Sequence, residues 1–314
     1  MGALELDTQH PMTLTLNIVG GGKLGRTLGK LWARAGTFAI GQVCCSQLVS
    51  AHQAVEFIGA GQPISDVNAL QAADIWLIAT PDQSIAALAV ELAAKAPIAA
   101  GNIALHCSGA LPATHLAPLQ QHGLAVASVH PVHSFADPAR SLETFRGSVC
   151  SYEGDPQALT QLLPAFEAVG AELLAIDSAA KSLYHAGTVM ACNYLVPLLD
   201  ASLACLQAAG LERACAAKLL GPLVAATADN LLSHNAEAAL TGPISRGDVE
   251  IVAGQLDALN EQLPALLPSY RALGLQTLAI ARDQGKAKAA DLNALEQLLA
   301  NASGDSNTPI KTDQ

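Results

Sequence analysis

The sequence predicts an α/β fold, in which a doubly wound, Rossmann-like parallel sheet domain is followed by an all-α helical domain. Short apolar strands alternate with helices from residue 13 to residue 177, as in parallel sheets with right-handed crossovers. From residue 178 onward the apolar residues recur at helical spacing. We expect a Rossmann-like domain at 13–177 and a helical substrate and dimerisation domain at 178–300. A flexible N-terminus at 1–12 and a polar tail at 301–314 flank them.

The expected strands and helices follow from the apolar runs and the breaks between them. Strands are predicted at residues 14–19, 38–45, 74–80, 103–107, 125–130, 148–152 and 171–176. The run at 74–80 is apolar throughout, which indicates a strand buried on both faces of the sheet. Long helices are predicted at residues 178–209 and 211–233. The first of them is apolar on nearly every face, so we expect a second subunit to cover it.

A glycine-rich turn follows the first predicted strand. Gly20, Gly22 and Gly25 fit the pattern G-x-G-x-x-G, and a helix is predicted directly after it. Gly20 suits a sharp turn, Gly22 lets a pyrophosphate approach the main chain, and Gly25 allows the helix to pack closely on the strand. The N–H groups at the helix start, around Lys23 and Leu24, can bind phosphates. The alternative is an ordinary glycine-rich turn.

Further cofactor contacts are expected where the neighbouring strands end. No Asp or Glu follows the second strand, which favours NADP over NAD, although NAD stays possible. Ser46 and Ser50 could donate to the additional phosphate, but no Arg or Lys stands beside them. Thr80 and Pro81 lie at the end of the strand at 74–80 and could lie beside the nicotinamide ribose. The alternative is an ordinary proline turn at these two residues.

Polar side chains after two later strands are candidates for the substrate site. Ser108, which could also contact the cofactor, and His130 and Ser134 are expected to face one crevice. His130 and His133 form H-x-x-H without a third ligand, so we expect no metal. A serine hydrolase built on Ser108 would lack the G-x-S-x-G turn and would need a base within hydrogen-bond reach.

One face of the long helix at 178–209 carries polar residues. Lys181, His185 and Asn193 are four and eight residues apart and share this face. We expect His185 or Lys181 to supply a proton during catalysis and Asn193 to orient the substrate. The alternative is solvation of Lys181 and interhelical hydrogen bonding of the other two. Arg246 could clamp a substrate carboxylate or form an ion pair with Asp248.

Composition limits the partners and the compartment. The net charge is −11, from 16 basic and 27 acidic residues, which argues against binding to nucleic acid or to an anionic membrane. Seven cysteines without C-x-x-C spacing indicate buried, reduced thiols. We see no signal peptide, and the apolar runs are interrupted before they reach membrane-spanning length. We therefore expect a cytoplasmic protein that contacts neither nucleic acid nor membrane.

Six motifs in this order carry a family resemblance: GGGKLGR, IATPD, HCSGAL, SVHPVHSF, KSLYHAGTVMACNY and LTGPISRGD. The chain resembles two-domain NADP-dependent oxidoreductases with a Rossmann-like N-terminal domain and a helical C-terminal domain of unknown function. This family is similar to the 6-phosphogluconate dehydrogenase-like and pyrroline-5-carboxylate reductase-like superfamily. The resemblance implies NADP(H) use, an active site between the domains, and a homodimer formed through the helical half. The family often has Arg after the second strand, where this chain has Gln47.

Together these observations predict an NADP(H)-dependent oxidoreductase. It would transfer a hydride to or from a small polar carbonyl, imine or hydroxy acid, with His185 as the preferred proton donor. Two alternatives stay open: a ketopantoate reductase-type enzyme, and a non-catalytic regulatory dimer that binds NADP.

Overall fold

The computed structural model describes residues 13–300, so the predicted flexible N-terminus at 1–12 and polar tail at 301–314 lie outside the described residues. The chain divides into two compact units, Met1–Ala191 and Cys192–Gln314. We call them the N-terminal unit and the C-terminal unit.

The N-terminal unit contains an eight-stranded, mostly parallel sheet, which confirms the predicted Rossmann-like fold class. The order across the sheet is β3-β2-β1-β4-β5-β6-β7-β8. Every neighbouring pair is parallel except β6 and β7. The strands are β1 (Thr15–Val19), β2 (Ala39–Cys44), β3 (Gln62–Ile64), β4 (Ile75–Ile78), β5 (Ile103–His106), β6 (Ala125–Pro131), β7 (Val149–Gly154) and β8 (Glu172–Ala175).

Seven helices connect or follow these strands within residues 13–191. They are α1 (Lys23–Ala35), α2 (Leu48–Ile58), α3 (Asp82–Lys95), α4 (Ala117–Gln120), α5 (Pro138–Thr144), α6 (Pro156–Ala168) and α7 (Lys181–Ala191). Short 3-10 turns lie at Val67–Ala69, Ala113–Leu116 and Ser178–Ala180.

Two apolar layers bury the two faces of the sheet. On β4, Ile75 and Leu77 enter one buried cluster and Trp76 and Ile78 enter the other, as expected of a strand covered on both faces. Trp32 of α1 is fully buried in the first cluster, and its Nε1 donates to the carbonyl oxygen of Ala165 at 3.0 Å. This packing holds α1 against the sheet, so the turn between β1 and α1 sits on a rigid support.

Strand β7 departs from the all-parallel alternation that the sequence pattern suggests. It runs antiparallel to β6 and parallel to β8. Apolar periodicity shows which faces of a strand are buried, but it does not show the strand's direction. The pattern therefore located β7 without revealing its orientation.

The predicted boundary lies after Asp177, whereas the compact N-terminal unit extends to Ala191 and includes α7. The side chain of Lys181 at the start of α7 is buried, and its Nζ donates to the carbonyl oxygen of Ser108 and to Ser128 Oγ. These contacts tie the helix to the loop after β5 and to β6. The predicted single helix at 178–209 is also interrupted, because α7 ends at Ala191 and α8 begins at Leu195.

The C-terminal unit is helical as predicted. Its described helices are α8 (Leu195–Ala208), α9 (Arg213–Ser233), α10 (Ala236–Ala239), α11 (Pro243–Arg246), α12 (Val249–Gln262), α13 (Leu267–Gln284) and α14 (Ala289–Ala300), with a 3-10 turn at Pro264–Leu266. A buried cluster joins α12, α13 and α14 through Val252, Leu256, Leu278 and Leu295. By contrast, α8 has no buried residue.

The stretch Ser178–Ala208 is long and apolar enough to span a membrane, judged by length and composition alone. None of its most apolar 18-residue window is buried inside the described chain. This differs from our expectation that the apolar runs are too short. Isolated polar residues interrupt the runs without making the stretch as a whole polar.

The seven cysteines are all free. Cys44, Cys107 and Cys150 are buried as expected, whereas Cys192 and Cys215 are exposed. The prediction of uniformly buried thiols is therefore wrong for these two.

Candidate functional site

The turn between β1 and α1 has the geometry that its glycines predict. Gly20 has φ of 110°, and a Cβ there would lie 2.5 Å from the carbonyl oxygen of Ala79. At Gly25 a Cβ would collide with the carbonyl oxygen of Gly20. A Cβ at Gly22 would meet nothing within 4 Å. Two of the three glycines are thus required by packing, while Gly22 borders open space.

The start of α1 is suited to an anion. Gly22 occupies the N-cap position and makes no side-chain capping bond, and the first turn contains no acidic residue. The first N–H groups of the helix are therefore not satisfied by a capping side chain. Together with the partial positive charge of the helix terminus, they form a site for a phosphate group.

A cavity of about 720 Å³ opens beside this turn, and we call it the glycine-loop cavity. It lies at the carboxyl ends of β1, β2, β3 and β4, where open α/β sheets bind ligands. Predicted cofactor residues in its lining are Gly20, Gly22, Ser46, Ser50, Thr80 and Pro81. Lys23, Leu24, Gly25 and Ser108, which we also predicted, are not lining residues. Leu24 instead packs against the apolar core.

The hydroxyl group of Thr80 supports the assignment of this cavity to a polar ligand. Thr80 Oγ1 is buried and has no hydrogen-bond partner among residues 13–300. Buried hydroxyl groups without partners are uncommon, because the lost hydration is costly. A ligand in the glycine-loop cavity could supply the missing partner. The residues present therefore fit a dinucleotide, with the open turn for its phosphates and Thr80 as a further polar contact.

Three charged residues in the cavity lining were missed by the sequence reasoning: Arg26, Asp66 and Glu91. Arg26 lies on α1 beyond the glycine pattern, Asp66 follows β3, and Glu91 lies on α3. The short strand β3 was not predicted, so the sequence offered no reason to place Asp66 at the sheet edge. The periodicity of α1 and α3 could have indicated that Arg26 and Glu91 are not core residues, but not that both face this cavity.

Ser108 lies at the end of β5 and is almost fully buried. Its hydroxyl donates to Asp82 Oδ2 at 2.8 Å and accepts from the N–H groups of Ala110 at 3.2 Å and Leu111 at 3.0 Å. A serine hydroxyl has one donor and two acceptor positions, so all of them are engaged. Asp82 supplies the base within hydrogen-bond reach that a serine hydrolase would need, while the G-x-S-x-G turn of such enzymes is missing around Ser108. The arrangement suits a residue that shapes the loop after β5.

Lys181 forms the centre of a buried network with Ser108, Ser128 and Glu153. Its Nζ lies 3.1 Å from the carbonyl oxygen of Ser108, 2.7 Å from Ser128 Oγ and 3.8 Å from Glu153 Oε1. The side chain is only 1% exposed. Burial lowers the pKa of Lys181, and the carboxylate of Glu153 opposes that shift. The ammonium group thus contacts β6, β7 and the loop after β5, and the proton-donor role predicted for Lys181 stays a prediction.

We expect Lys181→Met to lower the free energy of unfolding by about 3 kcal/mol, because removing one member of a buried ion pair leaves the other uncompensated. Urea denaturation measures this loss. In a double variant with Glu153→Gln the loss should be smaller than the sum of the two single losses. Additive losses, or a loss below about 1 kcal/mol, would contradict the proposed network.

His130, Tyr184 and His185 form a second cluster, at the end of β6 and on α7. His130 Nδ1 is hydrogen-bonded to the Tyr184 hydroxyl at 3.0 Å, and the rings of His130 and His185 are 5.8 Å apart. Both imidazoles face Gly109. A Cβ on Gly109 would lie 2.5 Å from His185 Nδ1 and 2.9 Å from His130 Nε2. The absence of a side chain at Gly109 therefore allows both rings to approach the main chain there closely.

The surroundings of His130 determine its charge. Burial, the largest cause, together with the nearby His185 and Lys181 lowers the pKa of His130 from 6.5 to about 4. His130 is therefore neutral near pH 7 and can orient a polar group without carrying charge. His185 is half-buried, and Thr188 Oγ1 lies 3.4 Å from its Nδ1.

His106, the last residue of β5, is expected to make the fold acid-sensitive. Burial lowers its pKa from 6.5 to about 4, although a hydrogen bond to the carbonyl oxygen of Pro112 opposes the shift. Between these pH values the unfolded chain binds a proton that the folded chain does not. The free energy of unfolding should thus fall as pH drops from 6.5 to 4, by an amount on the order of 3 kcal/mol.

Urea denaturation of the wild type and of His106→Gln between pH 7 and pH 4 measures this contribution. The stability difference between the two proteins should shrink as the pH falls, since only the wild type loses the His106 contribution. A difference that is independent of pH would assign the acid sensitivity to other groups.

The remaining predicted site residues lie elsewhere or outside the N-terminal unit. Ser134 is exposed in the loop after β6. His133 bonds Ser148 Oγ at 3.0 Å and packs against Phe135 and Phe145, so its role is structural. No group of three or more potential metal ligands occurs within residues 13–300.

Asn193 and Arg246 belong to the C-terminal unit, and their predicted roles stay predictions. Asn193 is exposed. Arg246 pairs with Asp248, at 2.8 Å between Nη2 and Oδ2, which is the ion pair that we considered as the alternative to substrate binding.

Two family models match the chain. A Rossmann-like domain matches residues 4–131 and a domain of unknown function, DUF2520, matches residues 148–277. The first match ends with β6, and the second begins just before β7. These matches confirm the predicted resemblance to a two-domain family. No curated protein matches the chain.

Solved structures share the fold over most of the chain. The protein TM1727 from Thermotoga maritima is 24% identical and has a TM-score of 0.63, over 86% of this chain and 99% of its own. A Bacteroides fragilis protein provisionally named an NADP oxidoreductase is 19% identical with a TM-score of 0.72, over 86% and 98%. Plasmodium falciparum pyrroline carboxylate reductase with NADP bound is 11% identical with a TM-score of 0.53, over 91% and 98%. At these identities the likeness shows the fold alone.

Proposed function

The chain joins a Rossmann-like domain to a DUF2520 domain, and from this premise we propose that it is an NADP(H)-dependent oxidoreductase. Its substrate would be a small polar carbonyl, imine or hydroxy acid. The relatives with the same fold support this reading, since one carries an oxidoreductase name and another is a reductase with NADP bound.

One observation carries the proposal: a phosphate-binding turn and a cluster of two imidazoles stand at the carboxyl ends of strands in one sheet. The glycine-loop cavity follows β1, β2, β3 and β4, and the cluster of His130 and His185 adjoins Gly109 after β5. Open α/β sheets bind ligands at this edge. A dinucleotide held at one part of the edge and a substrate held at the next is the arrangement that a hydride transfer requires.

We assign cofactor binding, proton transfer and substrate orientation to the following residues. Gly20, Gly22 and the start of α1 would hold the phosphates of the cofactor, and Thr80 would contact its ribose. When bound, the nicotinamide would supply or accept the hydride. His185 would supply or remove the proton at the substrate oxygen or nitrogen. Tyr184 would orient His130, whose neutral ring would hold the substrate's polar group.

The other predicted residues complete this proposal. Lys181 and Ser108 would fix the loop that carries Gly109, through the contacts between Lys181 Nζ and the Ser108 carbonyl oxygen. Asn193 and Arg246, an amide and a guanidinium group of the C-terminal unit, stay predicted substrate contacts. Ser134 and Ser46 stay proposed ligand contacts.

A screen for cofactor oxidation tests the function directly. Purified protein with NADPH, and with NADH alongside, is offered a panel of small 2-keto acids, aldehydes and cyclic imines, including ketopantoate and pyrroline-5-carboxylate. We expect at least one compound to give turnover with NADPH. If isothermal titration calorimetry detects binding of neither dinucleotide, the proposal is wrong. Binding without turnover on any substrate would favour the regulatory dimer instead.

We further propose a cytoplasmic homodimer that forms through the helical half. Several large apolar side chains are exposed in this region, including Val196, Leu223 and Leu232. Exposed apolar surface of this kind is commonly covered by a partner. Light scattering should therefore give about twice the mass of one chain. A monomeric mass together with recovery in the membrane fraction would support a membrane contact of Ser178–Ala208 instead.

A further inference from the structure

We propose that Arg26 binds the 2′-phosphate of NADP(H) and thereby makes the site selective for the phosphorylated dinucleotide. This inference rests on the proposed function, because it assigns a ligand group within the same cavity. The sequence alone does not show which cationic residue would bind this phosphate. The loop after β2 contains Ser46 and Gln47 but no Arg or Lys that could bind a dianion.

Arg26 is a guanidinium group without an acidic partner. Its Nε and Nη2 donate to the carbonyl oxygen of Gly21 at 3.1 and 2.8 Å. None of the ion pairs found within residues 13–300 includes Arg26. Within the described part of the chain, the remaining N–H groups, including both on Nη1, have no carboxylate partner, although the net charge of the whole sequence is −11. The two hydrogen bonds to the Gly21 carbonyl oxygen hold the guanidinium group of Arg26 in place at the wall of the glycine-loop cavity.

The position of Arg26 on α1 points it toward α2 and the loop after β2. Gly29, one turn further along α1, faces α2, since a Cβ there would lie 2.9 Å from Ile58 Cδ1. Lys30 also reaches the end of α2, because its Nζ would lie 3.2 Å from a Cβ on Gly59. Residues three and four apart share one flank of a helix, so Arg26 lies on the flank that faces α2.

The cavity wall on this side offers further partners for a phosphate. Ser46 and Ser50 lie in the lining and can donate hydroxyl hydrogen bonds. Helix α2 begins at Leu48, its N-cap residue Gln47 makes no side-chain capping bond, and its first turn has no acidic residue. A guanidinium fork, two hydroxyl groups and the start of a helix together form a set of donors that suits a phosphate dianion.

Two carboxylates in the same cavity define the competing possibility. Asp66 could accept hydrogen bonds from ribose hydroxyls, as acids do in NAD-preferring sites. However, Asp66 Oδ1 already accepts two bonds from Asn68, and Glu91 is paired with Lys95 at 2.8 Å. Among the described lining residues, Arg26 is therefore the cation without a carboxylate partner, which favours an anionic ligand group beside it, while Asp66, bonded only to neutral Asn68, is the competing acceptor.

Calorimetric titration of NADPH and of NADH into Arg26→Gln tests the proposal, with Arg34→Gln as the matched control. Arg34 is an exposed arginine at the end of the same helix. We expect Arg26→Gln to weaken NADPH binding by about 10- to 100-fold, because a charge-assisted hydrogen bond is lost. Binding of NADH should change by less than about threefold, because NADH has no 2′-phosphate. Arg34→Gln should bind both dinucleotides as the wild type does.

The comparison of NADPH with NADH distinguishes binding of the 2′-phosphate by Arg26 from a role of Arg26 in the glycine turn. Equal weakening of NADPH and NADH would show that Arg26 supports the glycine turn or the diphosphate, and would overturn the proposal. Unchanged NADPH binding would overturn it as well. Tighter wild-type binding of NADH than of NADPH, with a loss of NADH binding in Asp66→Asn, would assign the ribose to Asp66 instead. If the wild type binds neither dinucleotide, the proposed function itself fails.

Adenosine 2′,5′-bisphosphate and AMP give a second readout that does not involve the nicotinamide. The wild type should bind the bisphosphate more tightly than AMP, and Arg26→Gln should remove most of this preference. A preference that persists in the variant would contradict the role of Arg26. These affinities are measured without turnover, so they do not depend on the identity of the substrate.

Discussion

Replacing Gly22 with valine is expected to weaken dinucleotide binding by at least about 100-fold while the protein stays folded. Gly22 has φ of −67°, which any residue can adopt, and a Cβ there would meet nothing within 4 Å of the protein. A valine side chain would therefore occupy only the space that we assign to the pyrophosphate. Titration calorimetry with NADPH measures the loss, and thermal unfolding shows whether the fold is kept.

Gly25→Ala is the contrasting variant for this experiment. A Cβ at Gly25 would collide with the carbonyl oxygen of Gly20, so the substitution should lower the unfolding temperature even without ligand. The pair distinguishes a glycine required for ligand approach from one required for packing. If Gly22→Val binds NADPH as tightly as the wild type does, the phosphates do not lie at this turn.

The second large effect is expected for His185→Gln, which should lower kcat by about 100-fold or more if His185 transfers the substrate proton. Glutamine keeps a polar side chain but cannot exchange a proton near neutral pH. The assay uses the substrate that the screen identifies. The affinity for NADPH should be unchanged, because His185 adjoins Gly109 and does not line the glycine-loop cavity.

His122→Gln is the matched control, since His122 is exposed and bonds the carbonyl oxygen of Pro118. It should leave kcat as in the wild type. A full kcat in His185→Gln would exclude His185 as the proton donor. A parallel loss of NADPH affinity in His185→Gln would instead point to a structural role for this histidine.

Much of the fold was accessible from the sequence because the relevant signals are local. The glycine pattern after β1, the apolar run of β4 and the helical spacing after residue 178 each depend on neighbouring residues. The direction of β7, the three residues of β3 and the interruption before α8 were missed. Strand direction depends on distant pairing, and β3 is too short to show a period of its own.

The candidate site could be predicted only in part, because local sequence signals do not show which distant residues come into contact. His130 and His185 were recognised as polar residues near strand and helix ends, but their approach to Gly109 spans long separations in the chain. The sequence predicts Lys181 as an alternative proton donor because it shares a helix face with His185. Its burial against Ser108 and Glu153 follows from contacts with the ends of other strands.

The sequence by itself determined the order of the two domains, the phosphate-binding turn and the residue types at the sheet edge, since turn chemistry and periodicity are properties of short segments. Only the tertiary structure decided which of these residues meet. It brought Asp66 and Arg26 into one cavity, enclosed Lys181, and left the imidazoles facing a residue without a side chain. The physical reason is that burial and charge pairing depend on all the elements packed around a residue, and no single segment contains that information.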